Sequence, residues 1–201
     1  MAYNLNNKLV IAISSRALFD LEEENQIFEK DGLDAYYKYQ LENEDKSLKK
    51  GTGYRLVENI LKINSFFSSD ERQVEVIILS KNNAATSLRI TNAINDLKLD
   101  IIRSAWTSGT NISNYLKAFK VDLFLSADDN DVLNAIENGV AAAKILPSNE
   151  NIHNSSNNQV RIAFDGDAVL FSEESELIYK NNGLDAFIEH EKLNKDNPLE
   201  M

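Results

Sequence analysis

A chain of 201 residues with 43% apolar content is long enough to bury one sizeable core, or one core and part of a second. Its 21 basic against 32 acidic residues leave a formal charge of -11, which excludes the broad basic face that a nucleic-acid polymer requires but not one nucleotide in a cation-assisted site. Cysteine is absent and only His153 and His190 offer imidazole, so disulfides, thiolate sites and a His-rich zinc centre are excluded, and any metal must be held by oxygen donors, which suit Mg²⁺ or Ca²⁺.

Residues 1–8 are polar and lack the basic flank and apolar core of a signal peptide. No apolar run approaches the roughly 18 residues that span a bilayer. A soluble cytoplasmic protein without a membrane partner is expected.

Residues 9–13 form a short, β-branched apolar run, which predicts a buried strand. Residues 21–39 predict helical pieces broken at Gly32, and residues 51–53 a further break. Leu56, Ile60, Leu61, Ile63 and Phe67 fall at helical spacing across 54–67. A strand follows at 74–79, a helix at 86–97, a short strand at 101–106, a helix at 112–119 and a strand at 121–125. Residues 131–143 read as one helix, capped by Asp128 or Asn130. Strands alternating with helices predict an α/β domain with a mainly parallel sheet over residues 1–146. The Asn- and Ser-rich stretch 147–159 reads as a linker, and a fresh strand is expected at 160–164.

The chain also repeats itself. Gly32-Leu33-Asp34-Ala35 recurs 151 positions later as Gly183-Leu184-Asp185-Ala186. The same offset aligns Ile11-Ala12 with Ile162-Ala163, Ala17 with Ala168, Glu22-Glu23 with Glu173-Glu174 and Ile27 with Ile178. One ungapped register across strand, turn and helix points to a tandem duplication. Residues 160–201 would then hold only the opening third of the second copy. Either that copy is truncated or its end packs on the first, and truncation is the expectation. An unfinished sheet edge in the second copy would favour a homo-oligomer.

Asp165-Gly166-Asp167 follows the apolar run Val160-Arg161-Ile162-Ala163-Phe164. Two carboxylates spaced by two at a strand end can both face the crevice where parallel sheets bind ligands. Gly166 would let the backbone approach a phosphate closely. Asp-Gly-Asp is also a turn and a calcium-loop fragment, but such a loop continues with oxygen ligands, and Ala168-Val169-Leu170-Phe171 does not. At the repeat offset Asp165 becomes Ser14 and Asp167 becomes Arg16, so the first copy has no nucleophilic carboxylate there. Ser14, Ser15 and Arg16 could still bind an anion. Ser80 ends a strand and could grip a phosphate oxygen, or be a turn residue. Lys117 or Lys120 precedes the next strand and could pair with phosphate, or lie on the surface. Asp128 and Asp129 could bind metal, or cap a helix.

The strings Val10-Ile11-Ala12-Ile13-Ser14-Ser15-Arg16-Ala17-Leu18-Phe19, Tyr115-Leu116-Lys117-Ala118-Phe119, Leu123-Phe124-Leu125-Ser126-Ala127-Asp128 and, most specific, Arg161-Ile162-Ala163-Phe164-Asp165-Gly166-Asp167-Ala168-Val169-Leu170-Phe171-Ser172 span nearly the whole chain. In them the sequence resembles the type I cytosolic 5′-nucleotidases of the haloacid-dehalogenase (HAD) superfamily. The resemblance implies a HAD-like Rossmannoid fold and Mg²⁺-dependent hydrolysis of nucleoside monophosphates such as AMP. It implies Asp165 as nucleophile forming an aspartyl-phosphate, and Asp167 as acid and base. Asp165 and the Asp167 carbonyl would hold Mg²⁺, and the catalytic domain would continue past Met201. Ser14, Arg16, Ser80 and Lys117 stand as substrate-binding candidates in a first copy read as degenerate. The competing expectations are a non-catalytic nucleotide-binding or regulatory module and a HAD phosphatase for another phosphomonoester.

Overall fold

The computed structural model describes residues 4–68, 71–147, 159–164 and 169–197. The chain divides into two compact units, Met1–Gln159 and Val160–Met201.

The first unit is built on five strands: β1 (Leu9–Ile13), β4 (Val74–Ser80), β5 (Arg103–Trp106), β6 (Leu123–Ser126) and β7 (Ala141–Lys144). Their order is β5-β4-β1-β6-β7, and every pair is parallel. β4 is buried along its whole length, and β1 is buried after Leu9, because both have neighbours on each edge and helices over both faces. Val10, Ala12, Ile77, Leu79 and Phe124 pack with Ile112, Leu116 and Ala135 on one face. The pleat sends Ile11, Ile13, Val76 and Ile78 to the other face, where they too are buried. The connecting helices are α3 (Tyr54–Leu61), continued by a 3₁₀ turn at Lys62–Phe66, then α4 (Leu88–Asp96), α5 (Ser113–Ala118) and α6 (Asp129–Glu137). This is the HAD-like α/β arrangement expected from the sequence. The chain builds β1, β4 and β5 outward on one side and then crosses to β6 and β7, so the sheet order reverses beside β1. The crevice at such a reversal opens at the carboxyl ends of the strands.

After β1 the chain makes one turn of helix, α1 (Ser15–Leu18), and enters a small hairpin. Its strands, β2 (Phe19–Asp20) and β3 (Lys49–Lys50), pair antiparallel. Between them lies α2 (Glu22–Glu42), interrupted at Gly32 with φ 84° and ψ -176°. That region of backbone space is essentially closed to residues with a Cβ. A Cβ at Gly32 would meet nothing within 4 Å, so the constraint there is conformational alone. Gly32→Ala is expected to lower stability by about 1–3 kcal/mol in urea unfolding. A loss below a few tenths would show that α2 straightens at no cost.

Residues 131–143, expected as one helix, are instead the end of α6 and the edge strand β7. Ala141-Ala142-Ala143-Lys144 favours helix locally. Gly139, at φ 75°, stops α6 first, with Val140 N–H donating to the Ala135 carbonyl at 3.0 Å. Pairing of Leu123 to Ser126 with Ala141 to Lys144 then overrides the local preference.

In the second unit the strand expected at 160–164 does not form. Ile162 and Phe164 are 51% and 60% exposed, and no described segment pairs with them. A β-branched run becomes a strand only when a neighbour completes its ladder. The unit's helix is α7 (Glu174–Asn194), interrupted at Gly183 with φ 83° and ψ -177°. None of its described side chains is buried. Tyr179 and Phe187 meet edge to face, centroids 6.2 Å apart at 79°. In α2, Phe28 and Tyr36 meet at 5.9 Å and 78°. Both the glycines and the aromatic pairs stand 151 positions apart. No described helix is long and apolar enough to cross a membrane.

Candidate active site

The carboxyl edge of the first unit's sheet is lined by hydroxyl groups. Ser14 follows β1, and its N–H donates to the Leu125 carbonyl of β6 at 2.9 Å, which places it in the crevice. It is the N-cap of α1, in extended conformation, with Oγ accepting from the N–H of Ala17 at 3.3 Å and of Ala127 at 3.4 Å. Ser15 Oγ and Ser80 Oγ lie 3.0 Å apart, both buried. Ser80 Oγ also accepts from the Asn82 N–H at 3.3 Å. Ser14 and Ser80, far apart in sequence, therefore meet at one sheet edge.

Arg16 and Lys117 do not join them at close range. Arg16 pairs with Glu22 at 3.7 Å, with both side chains well exposed. Lys117 is exposed on the last turn of α5. Because α5 returns the chain from the carboxyl edge to the amino edge, its last turn lies at the far end of the sheet. There Asp122 N–H donates to the Val10 carbonyl at 2.9 Å and Lys120 Nζ to Asn6 Oδ1. The cation that does stand at the carboxyl edge is Lys81, directly after β4, whose Nζ lies 2.6 Å from Asp131 Oδ1.

The acidic cluster at the start of α6 is occupied by protein groups. Asp128 caps the helix by accepting from the Asp131 N–H at 3.0 Å. Asp129 pairs with Lys144 at 2.6 Å, and Asp131 with Lys81. Among the described residues, no group of three or more His, Asp or Glu side chains could hold a metal. This edge fits neither a metal nor covalent phosphoryl transfer through a carboxylate.

A buried polar chain ties α2 to the same edge. Tyr36 OH donates to Asn82 Oδ1 at 2.8 Å and accepts from Gln40 Nε2 at 3.0 Å. Burial raises the Tyr36 pKa above its ordinary value, opposed by the hydrogen bonds from Gln40 and to Asn82. Arg89 of α4 donates through one guanidinium nitrogen to Glu24 and to Gln40 Oε1, the latter at 3.4 Å, and through Nε to the Lys46 carbonyl at 3.0 Å. Glu24, Gln40 and Arg89 are all buried. From Ser15 through Ser80, Asn82, Tyr36, Gln40 and Arg89 to Glu24, each link is a hydrogen bond. None of these last five residues carries a local sequence signal; only charged and amide groups at otherwise apolar helix positions hint at them.

Asp165 and Asp167 lie outside the described residues. Their chemistry rests on residue type: two carboxylates, in a chain without thiols, form a hard oxygen donor set compatible with Mg²⁺.

A family model described as 5′-nucleotidase matches residues 1–201. The chain is also similar to human cytosolic 5′-nucleotidase 1B, with 35% identity over 197 residues covering 96% of this chain and 32% of the human protein. It thus spans about a third of the length of the curated relative it matches.

Proposed function

Because this chain belongs to the 5′-nucleotidase family, we propose that its second unit opens the catalytic domain of an enzyme that hydrolyses nucleoside 5′-monophosphates, AMP among them. The observation that carries the reading is Asp165-Gly166-Asp167 within a match that runs the whole chain. In the first step an Asp165 carboxylate oxygen attacks phosphorus, the bond from phosphorus to the 5′-oxygen breaks, and Asp167 gives its proton to that oxygen. In the second step Asp167 takes a proton from water. The water oxygen attacks phosphorus, the acyl-phosphate bond breaks, and Asp165 is restored with release of phosphate. Asp165 and the Asp167 carbonyl would hold Mg²⁺, which when bound offsets the repulsion between carboxylate and phosphate.

We also propose that the two units are copies of one domain. The shared interruption of α2 and α7 and the matching aromatic pairs, all at one offset, support that reading beyond the sequence identities. The first copy then serves as a silent relative. Ser14 stands where Asp165 stands and is spent as a helix cap, and the carboxylates near its edge are paired or capping.

Phosphate release from AMP in the presence of Mg²⁺, lost in Asp165→Asn, tests the catalytic reading. Undiminished turnover in that variant contradicts it.

A further inference from the structure

The proposed chemistry leaves the aromatic pair of the second unit without a role. Tyr179 and Phe187 meet across the Gly183 interruption, as Phe28 and Tyr36 meet across Gly32. In the first unit the second ring of the pair is anchored at the sheet's carboxyl edge. Tyr36 bonds Asn82 at 2.8 Å, and the Asn82 N–H bonds the hydroxyl of Ser80, the last residue of β4. The ring is thus one intervening residue away from the strand-end hydroxyl.

At the matching position the second unit has Phe187, which lacks the hydroxyl that tethers Tyr36. Gln40, the other partner of that hydroxyl, is matched by Glu191, which accepts instead from Ser175 Oγ at 2.6 Å. Phe187 is half-buried and Tyr179 is 52% exposed. A ring freed of its polar tether, on a helix that stands beside a phosphate-binding edge in the sister unit, presents a π face rather than a hydrogen bond. A nucleoside monophosphate places its flat base one ribose away from the phosphate. We infer that Phe187, backed edge to face by Tyr179, is the surface on which that base stacks; the inference rests on the nucleotidase reading. Stacking accepts any base, since every base has a π face. Phe187 therefore separates nucleotides from base-free phosphates and does not choose among bases.

The test uses the intact protein, with AMP and ribose 5-phosphate as paired probes. In Phe187→Leu the ratio of kcat/KM for AMP over ribose 5-phosphate should fall at least about tenfold, mainly through KM for AMP. Phe187→Trp should restore it. If the pair only joins the two halves of α7, both substrates lose equally and the ratio stays put, which overturns the inference. Calorimetric binding of AMP separates this failure from failure of the nucleotidase reading. AMP bound tenfold more weakly by Phe187→Leu, in a protein that hydrolyses nothing, upholds the stacking surface and refutes the enzyme. AMP binding indifferent to Phe187→Leu and Phe187→Trp alike refutes the stacking surface whatever the turnover.

Discussion

Asp165→Asn is expected to lower kcat for AMP hydrolysis by at least about a thousandfold, because removal of a covalent nucleophile leaves only binding and charge stabilisation behind. The amide matches the carboxylate in size but carries no charge to share with a cation and no anionic oxygen to attack phosphorus. The substitution therefore probes chemistry rather than packing. KM should change far less than kcat, since the lost bond forms during reaction and not during binding. A matching unfolding curve for the variant assigns the loss to the site. A kcat within tenfold of the unsubstituted protein would remove Asp165 from the mechanism.

The largest structural effect is expected at Arg89. Its guanidinium is buried against Glu24, Gln40 and the Lys46 carbonyl, and is the charged anchor between α2 and α4. Arg89→Met keeps most of the stem but strands a carboxylate that is 4% exposed. Breaking a buried ion pair from one side costs about 3–5 kcal/mol, a large share of the roughly 5–15 kcal/mol that holds a domain folded. Urea unfolding should report that loss. The double variant Glu24→Gln with Arg89→Met should recover part of it, because the orphaned charge is then gone. A loss of less than about 1 kcal/mol in Arg89→Met would mean that Glu24 reaches water and that α2 is not anchored there.

The sequence made the centre of the fold legible where one signal dominated. The run Leu9-Val10-Ile11-Ala12-Ile13 is apolar, β-branched and short, and it became the middle strand of the sheet with the bounds expected. Gly32 was readable as a break because little else tolerates its backbone conformation. The alanines of β7 were misread because local propensity favours helix and only the neighbouring β6 makes them a strand. β2 and β3, two residues each, are too short to show a period at all. Residues 160–164 erred in the opposite direction: the composition of a strand was present and the partner was not.

The site was legible in the same uneven way. Ser14 and Ser80 could be placed because each ends a strand, and parallel topology sends both ends to one edge. Lys117 went to the far edge because a six-residue helix carries its last turn away from the crevice. Lys81 follows its strand directly and was passed over. The bonds of Tyr36 to Asn82, and of Arg89 to Glu24, join residues 46 and 65 positions apart, and no local pattern announces them. The repeat was the most informative signal of all. It set Ser14 against Asp165, and the two interrupted helices later agreed with it in backbone angles.

The most direct measurement is a rapid acid quench of the protein turning over AMP labelled in its phosphate, followed by peptide mapping. The label should appear on the peptide that contains Asp165, as an acyl phosphate released by hydroxylamine, and should be missing in Asp165→Asn. Label on any other residue, or turnover that never phosphorylates the protein, would contradict the assignment of Asp165 as the nucleophile.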